Sequence, residues 1–129
     1  MEKIIDIGEK EISNIAISAY LAGLIDGDGT IQKSKVVIYN QDKQLVEQVQ
    51  QLIERLTGFE CSLRPYSYPN HAKPLFHLTI CGKVRIQSLL SSILPFLIGK
   101  KLIAESVFQI ISQKKTYNLR TLQKNEYYK

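Results

Sequence analysis

The stretch "LAGLIDGDG" (Leu21–Gly29) runs apolar and small residues straight into two acids, each followed by a glycine. It reads as the end of a helix, where a carboxylate faces the partial negative charge of the last carbonyls. That placement is unfavourable by roughly 0.3–1 kcal/mol. Gly23, inside the run, costs a helix about 1 kcal/mol relative to alanine. Ala19, Gly23 and Gly27 lie four residues apart and share one stripe. A stripe of small residues lets another helix backbone come close, either a second copy of this helix or a helix of the same chain. Asp26 and Asp28 call for something positive nearby. A hard divalent cation such as Mg²⁺ or Ca²⁺ fits, because these ions favour carboxylate, carbonyl and water oxygens. The plainer reading is an Asx-type turn in which Asp26 bonds local amides. An EF-hand fails, because a loop starting at Asp26 would need glycine at Ile31 and glutamate at Val37.

Outward from this stretch, "SNIAISAYLAGLI" (Ser13–Ile25) reads as a helix capped by Ser13 or Asn14, and residues 1–12 as a loosely held segment. "GTIQK" and "KVVIYN" read as short strands with a tight connection near Ser34. Leu45, Val49, Leu52, Ile53 and Leu56 recur at helical spacing, and Gly58 supplies a stop. "FECSLRPY" and "PLFHLTIC" read as a second strand pair around a turn-rich segment. "KVRIQSLLSSILPFL" is a helix broken near Pro95. "GKKLIAESVFQIISQK" is a last helix, and from Thr116 the chain reads as a polar tail outside a core of about residues 13–114.

Two strand–strand–helix units imply an α+β fold, a four-stranded antiparallel sheet with helices on one face. Alternation turns Ile31, Val36, Ile38, Phe59, Cys61, Leu63, Phe76, Leu78 and Ile80 toward the helices. It turns Thr30, Gln32, Lys35, Val37 and Tyr39 the other way, together with Ser62, Arg64, Tyr66, His77 and Thr79. That second face is polar, basic and aromatic, a composition suited to nucleic acid or, more plainly, to solvent.

The chain has 129 residues, a net charge of +5 and 44% hydrophobic residues, the profile of one globular domain. Charge is unevenly spread. Residues 1–60 carry ten acids against six Lys/Arg, and residues 61–129 carry eleven Lys/Arg against two acids. The basic half points to a polyanion. No apolar run is long enough to cross a membrane, and no signal-peptide pattern opens the chain. Two cysteines, Cys61 and Cys81, make no disulfide scaffold and fit a reducing compartment. With His71 and His77 they offer no zinc-ligand spacing.

"YLAGLIDGDGTI" (Tyr20–Ile31) closely resembles the LAGLIDADG motif of homing endonucleases, with Gly27 in place of its alanine. The element order resembles that family's α-β-β-α-β-β-α core. "LPFLIGKK" (Leu94–Lys101) resembles the family segment that carries a basic residue near the active site. The resemblance implies a site-specific double-strand DNA endonuclease that uses Mg²⁺, with Mn²⁺ or Ca²⁺ as substitutes in binding. It implies Asp28 as the metal-binding catalytic carboxylate and the Gly27 carbonyl as a second metal contact. It implies Asp26 as a support of the turn, Lys100 (or Lys101) near the scissile phosphate, and Asn40 or Gln41 as a water-positioning group. A single motif implies a homodimer paired through Ala19, Ala22, Gly23 and Asp26, reading a long near-palindromic site. Lys33 and the open sheet face would contact DNA, as would Tyr68, His71 and Lys73 in the second turn. Arg64 suits guanine or phosphate. An intron RNA maturase and a non-catalytic DNA-binding regulator are alternatives on the same fold. An intein is a poor reading, since the chain does not start with Cys or Ser and has no C-terminal His-Asn pair. Beside the family pattern, the chain is expected to have a short first hairpin and no extended helical tail.

Overall fold

A computed structural model describes residues 9–124, with side chains described for residues 14–113. The chain forms α1 (Glu9–Asp28), β1 (Gly29–Ile31), β2 (Lys35–Asn40), α2 (Lys43–Thr57), β3 (Ser62–Tyr66), β4 (Leu75–Cys81), α3 (Lys83–Ile93), a 3₁₀ turn (Leu94–Phe96) and α4 (Lys101–Lys124). The strands make one antiparallel sheet in the order β1-β2-β4-β3.

Both ends of α1 and the end of α4 differ from the expectation. α1 begins at Glu9, so Ser13 and Asn14 lie within the helix and do not cap it. Glu and Lys upstream are good helix formers, and one interior Ser–Asn pair does not outweigh them. α4 continues through residues 116–124, expected as a polar tail. The expectations for residues 1–8 and 125–129 lie outside the described residues. α1 also runs through both acids, so Asp26 and Asp28 occupy its last turn.

α2 follows its local signals. Asp42 accepts from the Leu45 amide at 3.1 Å as N-cap, and its own amide donates to Asn40 Oδ1 at 2.8 Å. Gly58 closes the helix at φ 79°, with its amide donating to Glu54 O at 2.8 Å. Pro65 sits in β3, at the sheet edge where a missing donor is tolerated.

One core joins one face of the sheet to α1, α2, α3 and α4. Ile17, Leu21, Ala22 and Ile25 of α1 pack with Val49 and Ile53 of α2 and with Ile86, Leu89, Leu90 and Ile93 of α3. Ala104, Val107 and Ile111 of α4 complete the helical side. Ile31, Val36, Ile38, Leu78 and Ile80 close the core from the sheet. Cys61 and Leu63 are half-buried at its edge. Phe59 and Cys61 precede β3, and Arg85 lies over the Phe59 ring at 5.6 Å. Cys81 is exposed, because it pairs with Lys35 on the opposite face.

Gly29 joins α1 to the sheet. A Cβ there would lie 3.1 Å from Ile25 Cα, Ile25 O and Val37 O, all backbone atoms. Its role is close approach rather than a sharp turn: among the described residues the positive-φ glycines are Gly58 and Gly82. Gly29→Ala is therefore expected to lower stability by about 1–3 kcal/mol, as overpacking does. Denaturant unfolding measures it, and an unchanged midpoint would mean that the helix–sheet junction is looser than described.

Candidate functional site

The last turn of α1 sets the site. Asp26 lies at the wrong end of its own helix but at the favourable end of another. Its Oδ2 accepts from the Ile98 amide and its Oδ1 from the Lys100 amide, each at 2.8 Å. Those amides precede α4, so the carboxylate sits against the positive end of that helix. In return the Lys100 ammonium donates to the Asp26 carbonyl at 2.8 Å, a cation at the negative end of α1. The local Asx turn expected of Asp26 is thus replaced by bonds 72 and 74 residues away. Desolvation alone would raise the Asp26 pKa. The amides of Ile98, Lys100 and Gly99, helped by the Lys100 charge, hold it below the usual carboxylate value.

Asp28 is exposed two residues on. It lines an open concavity of about 540 Å³ with Gly27, Gly29, Thr30, Tyr39, Asn40, Gln41 and Leu75. The expected acid, the expected glycine and both candidate polar residues therefore meet in one place. Lys100 is anchored to the same helical turn through the Asp26 carbonyl. Lys101 is exposed at the start of α4. Leu75 is the lining residue that the sequence reading missed, although its alternation with His77 and Thr79 places it on this side.

The concavity opens at the margin of the sheet face that the helices leave uncovered. Cross-strand rows on this face run Thr30, Val37, Thr79, Ser62 and then Tyr39, His77, Arg64. The Thr30 and Tyr39 hydroxyls lie 3.5 Å apart. His77 has Tyr39 edge-on at 4.7 Å and Tyr66 tilted over it at 4.0 Å. The Tyr68 hydroxyl shares a 3.1 Å hydrogen bond with His77 Nε2. Desolvation, then the Lys35 charge, holds the His77 pKa below its ordinary value. Gln32, Lys33, Lys35, His71 and Lys73 are exposed. Val37 is the exception to its row. It is 2% exposed between Thr30 and Thr79, so it fills the face and does not present itself for contact.

Basic residues that the sequence reading passed over adjoin this face. Lys83 lines a concavity with Gln32, Lys33, Ser34 and Gly82. Arg85 lines another with Glu60, Cys61, Ser62, Thr79 and Cys81. Both open α3: the pairing of β2 with β4 brings Lys83 beside the first hairpin, and the pairing of β3 with β4 brings Arg85 beside the start of β3. Burial, then Glu54, pushes the Cys61 thiol up to about 12. No grouping of three or more His, Cys, Asp or Glu suited to a metal occurs among the described residues.

The small-residue stripe faces outward. Ala19, Gly23 and Gly27 are exposed, and a Cβ on either glycine would meet nothing within 4 Å. Ala22, expected with them, is fully buried in the chain's own core, because its angle on the helix puts it beside Leu21 and Ile25. The Asp26 carboxylate, expected at the same interface, is committed within the chain.

Residues 16–94 match the LAGLIDADG-like domain family, and the chain belongs to it. Its fold is similar to that of the homing endonuclease I-CvuI. One such structure holds the enzyme with the I-CreI target DNA and magnesium, the DNA uncleaved. It is 20% identical at a TM-score of 0.63, covering 77% of this chain and 68% of that one. A second holds I-CvuI with its own target and calcium, 21% identical at 0.61, with the same coverage. At this identity the likeness establishes the fold. No curated protein matches.

The clamp has a pH signature. A depressed carboxylate pKa contributes stability that is present above the unfolded value and lost as pH falls through the folded one. Asp26→Asn is expected to cost roughly 0.5–2 kcal/mol at neutral pH, the range for losing a helix cap. The gap to wild type should close on acidification. Denaturant midpoints across pH measure it, and a gap independent of pH would deny the carboxylate its charged role.

Proposed function

We propose that this chain is a homing endonuclease: a homodimer that cuts both strands of a long, near-palindromic duplex with a divalent cation. One observation carries the reading. In a LAGLIDADG-like fold, Asp28 stands exposed in a concavity with Gly27, Asn40 and Gln41, at the margin of an uncovered basic and aromatic sheet face.

The donor set suits Mg²⁺ in a particular way. One carboxylate with backbone carbonyls and amide side chains is too few for a closed protein cage. Mg²⁺ is usually held by one or two carboxylates plus substrate phosphates and water, so the residues fit once DNA supplies the phosphates. Asp28 and the Gly27 carbonyl would hold the ion. When bound, it supplies an acidified water and charge stabilisation for the leaving oxygen. Asn40 and Gln41 orient water across the concavity. Lys100, fixed on the Asp26 carbonyl, keeps a positive charge beside the turn where the phosphate charge develops.

Two copies are needed for two cuts. The open stripe of Ala19, Gly23 and Gly27 allows close pairing of two α1 helices. Ile15 (60% exposed), Tyr20 (45%) and Ile98 (87%) add apolar surface, Ile98 on the loop that Asp26 holds. Paired this way, each chain brings one Asp28 close to the two-fold axis and one sheet face to each half-site.

On a duplex selected by binding, Asp28→Asn is expected to abolish cleavage in Mg²⁺ while keeping affinity within a few-fold. Cleavage at the wild-type rate would remove Asp28 from the reaction. Gly23→Leu is expected to shift the protein from dimer to monomer in sedimentation. A dimer unaffected by that substitution would place the contact elsewhere.

A further inference from the structure

Of the side chains on the uncovered sheet face, four converge from four segments on one point. Tyr39 comes from β2, Tyr66 from β3, Tyr68 from the turn after it, and His77 from β4. The imidazole is the hub: Tyr66 lies tilted over it at 4.0 Å, Tyr39 meets it edge-on at 4.7 Å, and Tyr68 is hydrogen-bonded to it at 3.1 Å. Tyr66 is 44% exposed and Tyr68 37%, so both rings touch His77 yet stay open to a ligand. Arg64 lies directly across from His77 in the register, and Lys35 shares the face. The result is a fixed apolar surface in a basic surround.

We propose that Tyr66 and Tyr68, held by His77 as a positioning residue, form a rigid reader of thymine methyl groups in the major groove. The inference rests on the reading of this face as the DNA interface and says what part of the base it recognises. The thymine C5-methyl is the apolar feature that the major groove presents. The Tyr68 hydroxyl is engaged by His77, which leaves its ring for contact. Because the rings are already ordered, binding forfeits little side-chain entropy. Desolvation, then the Lys35 charge, lowers the His77 pKa and so favours the uncharged imidazole, which adds contact surface without a phosphate-seeking charge.

The test uses the full chain and duplexes that it selects from a randomised library. Replacing thymine by deoxyuridine, one position at a time, removes a methyl and nothing else. Wild type is expected to lose about fourfold in affinity at one or two positions per half-site, the equivalent of one methylene-sized group. Tyr66→Ala and Tyr68→Ala should each erase that sensitivity at one position. His77→Ala should weaken it without changing the dependence of affinity on salt, and His77→Phe, which keeps the ring stack, should restore part of it. Arg64→Ala, by contrast, should flatten the salt dependence if that side chain contacts phosphate. Wild-type binding indifferent to every methyl, or methyl sensitivity intact in both tyrosine variants, would overturn the inference while leaving the DNA interface standing. Failure of the wild type to enrich any duplex would overturn the interface reading itself, and this inference with it.

Discussion

The reciprocal clamp between Asp26 and the segment Ile98–Lys100 is the constraint on which the rest of the site depends. A carboxylate in the last turn of α1 opposes that helix's dipole, but the same group caps the start of α4. The Lys100 ammonium closes the circuit by satisfying the Asp26 carbonyl. Two helix ends that would each leave polar groups unpaired therefore satisfy each other. The arrangement fixes the direction in which α1 ends, and so where Asp28 stands. It also ties Ile98 to the last turn of α1 and keeps a positive charge there.

Two elements serve two purposes by dividing their faces. α1 gives Ile17, Leu21, Ala22 and Ile25 to the core and Ala19, Gly23 and Gly27 to the outside. The sheet gives Val36, Ile38, Leu78 and Ile80 to the core and a basic, aromatic row to the outside. The junction between them is Gly29, where backbone meets backbone at a distance that admits no side chain. Asp28 is thus held where the outward face of α1 and the uncovered sheet face meet.

Much of this is legible in the sequence because it is local. The strand pairs, the face alternation of the inner strands, the amphipathic α2 and its stop at Gly58 all follow from neighbouring residues. The motif string carries the family and the meeting of Asp28 with Gly27. What cannot be read depends on distant partners or on fine helix phase. The amides that hold Asp26 lie more than seventy residues away. Ala22 and Gly23 are adjacent in sequence but turn to opposite environments. Lys83 and Arg85 adjoin the open face only because β4, which leads into α3, pairs with β2 on one side and β3 on the other. The length of α4 escapes a reading by polarity, because a polar segment suggests a tail where helix formers such as Lys, Gln and Leu continue the helix.

The central claim is that this fold cuts duplex DNA in pairs of nicks through a metal that the DNA helps to hold. The most direct measurement is to incubate the purified chain and Mg²⁺ with a randomised duplex library and sequence the ends produced. The account predicts breaks in both strands at a constant offset, centred in a near-palindromic consensus and absent when the metal is chelated. Ends no more frequent than in the chelated control, with the chain folded and binding DNA, would contradict it.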